Sequence, residues 1–204
     1  MLTVSHLSLS RGHRRLFSDV SFSLMPGQWL HLQGDNGVGK TSLLRLLCGL
    51  GVCEQGEVTW KNQPILQEPE NFRADLLYLG HQLALKEDLS PFENLRVDAA
   101  VSGRDGPVDR VMAALGQMGL RGREHLPVRV LSQGQKRRTA LARLLISRAP
   151  LWILDEPFVA LDAAAQNALT GVINAHLNAA GMLLVTSHQP LSLQGQACSY
   201  RLMA

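Results

Sequence analysis

Cysteine is scarce in this chain of 204 residues: only Cys48, Cys53 and Cys198 occur. The number is odd and no two of them form a CxxC pair. A disulfide framework and a zinc site are therefore excluded as organising features, and reduced thiols are expected. No CxxCH stands anywhere, so the chain has no covalent haem-attachment sequence. Long apolar runs are missing too. The longest, such as residues 151–154 and 182–185, have the length of a strand. They fall far short of the roughly 18–20 residues of a membrane span. The first ten residues have no basic start and no apolar core, so they do not read as a signal peptide. Nor does charge of one sign dominate: 20 Lys and Arg against 17 Asp and Glu leave +3. Ordinary surface chemistry accounts for that balance, and it makes only a weak case for nucleic acid or anionic lipid. There is no repeat, no low-complexity segment and no polar tail. At 46% apolar and 18% charged, the composition is that of a globular domain. A role at a membrane would require a partner to hold the chain there.

Short strand patterns come first. Residues 2–9 alternate apolar and polar, residues 20–24 and 29–32 follow around the turn Pro26-Gly27, and residues 57–60 add another run. Little helix separates them, which predicts an antiparallel layer. Later the pattern changes to strand, helix, strand. Residues 76–79, 151–154 and 182–186 are continuous apolar runs of the kind found in buried parallel strands. Between them, residues 91–126 read as a helical insertion. Ser90-Pro91-Phe92-Glu93 joins a capping Ser, a Pro at the first helical position and a Glu three residues after the cap. Pro107 opens a second helix with Val108, Val111, Leu115 and Met118 on one face. The expectation is one domain over residues 1–204, α/β in class, with a helical subdomain at about residues 83–145.

Gly34-Asp35-Asn36-Gly37-Val38-Gly39-Lys40-Thr41 fits the P-loop pattern G-x-x-x-x-G-K-S/T, after a strand and before the helical run 41–48. Glycines let successive backbone N–H groups turn inward around a phosphate chain. The helix start adds its positive dipole end. Lys40 is placed to reach the β- and γ-phosphates, Thr41 to ligate Mg²⁺, and Ser42 continues the cradle. A second half-site is Asp155-Glu156 at the end of the apolar run 151–154, the strand end where open α/β sheets hold ligands. Asp155 is expected to hold the metal through water, and Glu156 to orient and deprotonate an attacking water.

Leu131-Ser132-Gln133-Gly134-Gln135 precedes a helical run, with Ser132 and Gln135 spaced as a capping box and Gly134 leaving the first turn bare. This segment resembles the LSGGQ signature of ABC-transporter ATPases, and it stands before Asp155-Glu156 as in that family. Other elements are similar to the family's in the same order. Gln82 matches the Q-loop glutamine, a further magnesium contact; Ala160-Leu161-Asp162 matches the D-loop; and Thr186-Ser187-His188 ends in the position of the switch histidine. The resemblance spans nearly the whole chain. It implies a RecA-like parallel-sheet core with an antiparallel β layer and a helical subdomain, with ATP and Mg²⁺ as ligands. It also implies a head-to-tail dimer in which Ser132, Gln133, Gly134 and Gln135 of one copy face the γ-phosphate bound at Lys40 of the other. His188 would contact that phosphate beside Glu156, and Asp162 would link the two sites. Three positions depart from the family. Arg11 stands near the usual adenine-stacking aromatic, and its guanidinium plane is a candidate substitute. Gln133 replaces a glycine, and Val159 a serine.

Leu16-Phe17-Ser18-Asp19-Val20-Ser21-Phe22, residues 41–50, Leu79-Gly80-His81-Gln82 and Glu156-Pro157-Phe158 are similar to the ATPase subunits of bacterial cytochrome c maturation systems, a family linked to haem export. That likeness implies integral membrane partners, a place on the cytoplasmic face of the inner membrane, and no nucleic-acid partner. The alternatives are an ABC ATPase serving another transported substrate, and a soluble one acting on ribosomes or nucleic acid. Against the latter, the helical insertion is too short for a coiled coil and the chain carries one cassette. Glu156 and His188 speak against a non-hydrolysing module, and the guanine-reading NKxD sequence is missing.

Overall fold

In the computed structural model, which describes residues 1–12, 14–102 and 107–203, the early alternation folds into a long hairpin of β1 (Leu2–Arg11) and β2 (Arg14–Leu24). Leu2, Val4 and Leu7 on one strand, and Leu16, Phe17, Val20 and Leu24 on the other, are buried. The count of two fails between Val4 and Leu7. His6 (φ 51°) and Asp19 (φ 55°) lie at breaks in the strand register, and the extra residue returns Leu7 to the core side. On its other edge β1 pairs antiparallel with β4 (Gln55–Trp60), which carries the two-residue β5 (Gln63–Pro64).

The second sheet is parallel. Its order is β6 (Leu76–Leu79), β7 (Leu151–Asp155), β8 (Met182–Thr186), β3 (Gln28–Gln33) and β9 (Gln196–Arg201). Every residue of β7 and β8 is buried, as a strand covered on both faces requires. Parallel pairing brings the carboxyl ends of β3, β7 and β8 to one edge of the sheet, so the segments that follow them are neighbours. From β3 the chain turns through residues 34–39 into α1 (Lys40–Leu47), which buries Leu43, Leu44, Leu46 and Leu47 in the core.

The chain separates into two compact units. One comprises residues 1–80, 149–156 and 174–204, with both sheets, α1 and the short α2 (Pro69–Ala74). The other comprises residues 81–148 and 157–173 and is helical. It holds α3 (Pro91–Val101), α4 (Val108–Gln117), a 3-10 turn at Val128–Val130, α5 (Gln133–Leu141), α6 (Arg143–Ile146) and most of α7 (Ala163–Asn178). The predicted cap of α3 forms as a reciprocal pair. Glu93 N–H donates to Ser90 Oγ at 3.2 Å, and Ser90 N–H donates back to the Glu93 carboxylate at 2.8 Å. The Ser90 N–H, joined by the Ser90 hydroxyl donating to the same carboxylate at 2.8 Å, holds the Glu93 carboxyl below the usual carboxylate range. Buried Asn94 then ties the preceding loop to the helix through the carbonyls of Lys86, Leu89 and Ser90.

Four features differ from the sequence expectation. Pro107 is the residue before α4 rather than its first, and Val108 is 50% exposed, so the buried face begins at Val111. The helix after the signature breaks at Ala142 into α5 and α6. The strands β5 and β9 were not expected, and neither was α2. β9 is an edge strand with exposed and half-buried residues in turn, so no apolar run marks it. α2 buries only Phe72, too little to show a helical period. Among the described residues no helix is long and apolar enough to cross a membrane.

Candidate nucleotide site

The loop after β3 is shaped by its glycines. Gly34 (φ 148°) approaches the Leu202 carbonyl so closely that a Cβ would sit 2.8 Å from it. Gly39 (φ 111°) is the N-cap of α1, and a Cβ there would press within 3.3 Å of Leu16 and Phe17. Both positions demand glycine on conformation and on space. Because Gly39 has no side chain to cap α1, the first-turn N–H groups are presented to an incoming anion at the positive end of the helix. Lys40 Nζ donates to the carbonyls of Gly34 at 2.6 Å and Asp35 at 3.0 Å, which holds the ammonium over the loop it serves. Val38 is buried, while Asp35, Asn36 and Gly37 face solvent.

The ends of β7 and β8 stand beside this loop. Asp155 is only 4% exposed. Its two carboxylate oxygens accept from different hydroxyls, Oδ1 from Thr186 at 2.7 Å and Oδ2 from Thr41 at 3.1 Å. Glu156 follows with φ 51°, and its N–H donates to Thr186 Oγ1 at 2.9 Å. Its carboxylate lies 3.5 Å from His188 Nε2, with the Glu156 side chain 16% exposed and that of His188 60%. One strand away, His31 Nε2–H donates to the Ser187 carbonyl at 3.0 Å, and His31 Nδ1 accepts from the Gln33 amide at 3.3 Å. A cleft of about 270 Å³ opens among His31, Gly34, Lys40 and His188.

Thr41 and Asp155 supply hard oxygen donors side by side, and among the described residues no cluster of His, Cys, Asp or Glu could cage a metal alone. That combination fits magnesium, which keeps several waters and binds through one or two carboxylates plus substrate phosphates. Burial pushes the Tyr78 phenol up to about 12, with Cys48 and Asp155 nearby adding to the shift, so the ring enters as a neutral group. Burial also pushes the Cys48 thiol up, which makes it a core side chain without nucleophilic character.

Apart from Ser42, half-buried in α1, and Arg11, the other predicted site residues belong to the helical unit. Ser132 and Gln135 form the expected capping box at the start of α5. Gln135 N–H donates to Ser132 Oγ at 3.3 Å, and Ser132 N–H donates to Gln135 Oε1 at 2.9 Å. Ser132 and Gln133 are exposed, and a Cβ on Gly134 would lie 3.4 Å from the Ala160 carbonyl. Asp162 accepts the Ala165 N–H at 2.8 Å and so caps α7, a local task that its D-loop position did not announce. Gln82 is exposed. Arg11 ends β1, exposed and paired in register with Arg14. Sequence reasoning did not single out Thr186 or His31. The one available signal was a hydroxyl residue closing an otherwise apolar strand.

Comparison with known proteins identifies the family. Residues 17–159 match the family described as ABC transporter. The chain is 52% identical over 193 residues to the cytochrome c biogenesis ATP-binding export protein CcmA of Dechloromonas aromatica, covering 95% of both chains. It is 50% identical to the Nitrosomonas europaea protein of the same name, over 94% of this chain and 90% of the other. With that of Methylococcus capsulatus it shares 46%, over 98% and 97%. Among solved structures, an ATP-binding subunit of an ABC transporter superposes with a TM-score of 0.83 at 28% identity, over 92% of this chain and 80% of that one. A putative ABC transporter ATP-binding protein from Pyrococcus furiosus shares the fold, with a TM-score of 0.85 at 23% identity over 98% and 96%. The chain is an ATPase of the ABC transporter family. Within it, the chain belongs to the group of cytochrome c biogenesis ATP-binding export proteins.

Proposed function

We propose that the chain is the ATP-hydrolysing subunit of a cytochrome c biogenesis exporter that handles haem, and that it works as two copies paired head to tail. Integral membrane partners hold the pair at the cytoplasmic face of the bacterial inner membrane, with Gln82 and the helical subdomain at about residues 83–145 relaying motion to them. The names of relatives at 46–52% identity over nearly the whole chain support the cellular role.

The observation that carries the chemistry is the placing of Glu156. It follows the Thr41–Asp155 pair directly and lies 3.5 Å from His188. ATP docks with its phosphates in the loop 34–39, against the α1 N–H groups and the Lys40 ammonium. Thr41, Asp155 and Gln82 would hold magnesium, which would neutralise charge on the phosphate oxygens when bound. The Glu156 carboxylate takes a proton from the attacking water. The water oxygen bonds to the γ-phosphorus as the bond from that phosphorus to the β–γ bridging oxygen breaks, giving ADP and phosphate. His188 donates to the γ-phosphate and keeps the water in line. The Ser132 hydroxyl and the first-turn N–H groups of α5, from the other copy, grip the same phosphate. Hydrolysis removes the group that both copies hold, and the closed pair loses its bridge.

Glu156→Gln tests the core of this reading. Turnover should fall by on the order of 10²–10⁴-fold, and ATP should trap a dimer. Wild-type turnover in that variant would remove Glu156 as the base. Affinity purification from gently solubilised membranes tests the cellular role: a multi-span protein in stoichiometric amount supports it, and recovery with ribosomes alone would overturn it.

A further inference from the structure

We propose that Thr186 is a positioning residue for ATP hydrolysis: its buried hydroxyl sets where Glu156 presents its carboxylate. The inference rests on the reading of Glu156 as the base.

The geometry starts from strand register. β7 and β8 run parallel with Asp155 opposite Thr186, so their side chains share a face at the last rung of the ladder. Thr186 has no exposed surface. A hydroxyl offers one donor and two acceptor sites. Here the donor goes to Asp155 Oδ1 at 2.7 Å, and an acceptor site receives the Glu156 N–H at 2.9 Å. One oxygen therefore contacts both acidic residues, through the side chain of one and the backbone of the other. A β-branched residue suits this task, because χ1 is restricted and the hydroxyl direction is fixed.

The backbone bond matters because of what the chain does at Glu156. β7 ends at Asp155, and Glu156 turns away with φ 51°, a region that a glutamate seldom occupies. Such a conformation persists only where its surroundings hold it. The Thr186 hydroxyl is a direct hold on the N–H of that residue. The turn in turn directs the Glu156 side chain to within 3.5 Å of His188, two residues beyond Thr186 on the same strand exit. Thr186 thus ties the residue proposed as base to the strand that carries the residue proposed as switch. Without the hydroxyl, the Glu156 backbone can relax toward ordinary extended geometry, and its carboxylate leaves the position that water activation needs. Of the groups that hold nucleotide and metal, Thr186 bonds Asp155, whose other oxygen keeps its contact with Thr41, and it does not bond the loop 34–39, Lys40 or Thr41.

The test compares steady-state kinetics of Thr186→Val, Thr186→Ser, Glu156→Gln and the double variant Thr186→Val/Glu156→Gln, all as the full chain. Valine keeps the branched shape and deletes the hydroxyl, and serine keeps the hydroxyl. For Thr186→Val, kcat should fall about ten- to hundredfold, the usual cost of a misplaced catalytic group. KM for ATP should stay within about twofold, because uniform binding is untouched. Serine should restore kcat to within about threefold of wild type. In the Glu156→Gln background the valine substitution should cost nothing further. Wild-type kcat in Thr186→Val overturns the inference, as does a serine variant no better than valine. So does a valine effect undiminished in the Glu156→Gln background, which would place the role on Asp155 alone. Should the valine chain not fold, Thr186→Cys, with a weaker donor in a similar volume, carries the same expected loss of kcat at constant KM. If Glu156→Gln itself hydrolyses ATP normally, the assignment of the base fails and this inference with it. If Glu156→Gln is inactive while Thr186→Val is normal, this inference alone fails.

Discussion

Thr41 donates its hydroxyl proton to Asp155 Oδ2 across 3.1 Å, joining the residue after the P-loop lysine to the end of β7. The bond aligns two oxygen ligands on one side of the loop, next to where a β- or γ-phosphate would lie. If this pair receives magnesium, the metal must break or share the bond, and the dependence of binding on metal should reside in these two side chains. Thr41→Val keeps the shape and deletes the ligand. ATP affinity without magnesium should stay within about threefold of wild type, while the gain on adding magnesium should shrink by about tenfold or more, the worth of one charge-assisted contact. Titration of a fluorescent ATP analogue with and without the metal measures both. An undiminished gain would place the metal elsewhere.

Lys40 offers a simpler case. Its ammonium is held by the Gly34 and Asp35 carbonyls, which already orient it over the loop. Replacing it by alanine removes the charge and leaves the loop's glycine-dictated path intact. Lys40→Ala should weaken ATP binding by at least about tenfold, and AMP binding far less, since AMP lacks the phosphates this ammonium would meet. Equal affinity for ATP before and after the substitution would remove Lys40 from the phosphate site.

The parts of this fold that were legible in the sequence are those fixed by local chemistry. The glycine spacing of residues 34–39 announced a loop because Gly34 and Gly39 have both conformational and spatial reasons to be glycine. The two capping boxes, Ser90 with Glu93 and Ser132 with Gln135, close within three residues, so their partners could be named in advance. β7 and β8 were visible as apolar runs because both of their faces are covered. What stayed hidden depends on distant partners. Among the described residues β9 pairs with β3 alone, and its residues are exposed or half-buried, so nothing local distinguishes it from a loop. Val108 fits the helical period yet stays exposed, because period alone does not say where the neighbouring element stops. Thr186 meets Asp155 and Glu156 only through the register of two strands separated by a whole helix.

Ser132 carries a third prediction. Its hydroxyl oxygen is already an acceptor for Gln135 N–H, so the proton of the same hydroxyl is what a phosphate oxygen would receive. The residue is exposed at the helix end, at the start of α5, and Gly134 adds no side chain there. Ser132→Arg puts a long side chain over it. ATP binding to the isolated chain should be unchanged, while sedimentation should show loss of the dimer that ATP induces in a Glu156→Gln background. A dimer of normal stability would refute a trans role for this segment.

His176 predicts a dependence of stability on pH that has nothing to do with catalysis. Its ring stacks on Trp152 at 3.7 Å with an interplanar angle of 3°, and Nε2 lies 3.2 Å from the Met182 carbonyl. Gly181 makes room for it, since a Cβ there would lie 2.3 Å from the imidazole. Burial lowers the pKa of His176 in the folded chain, and the Met182 carbonyl offsets part of that shift. Above the unfolded value near 6.5 both states carry a neutral ring and the group is silent. As pH falls through that value the unfolded chain takes a proton that the folded chain resists, so stability is lost until the lower folded pKa is reached. One such proton limits the slope to about 1.4 kcal/mol per pH unit. Urea unfolding between pH 7.5 and 5 should therefore show a steeper loss for wild type than for His176→Gln, which cannot titrate. Thr186→Ser, a substitution away from the stack, should keep the wild-type slope. Parallel curves for wild type and His176→Gln would mean that the imidazole is protonated as easily in the fold as outside it.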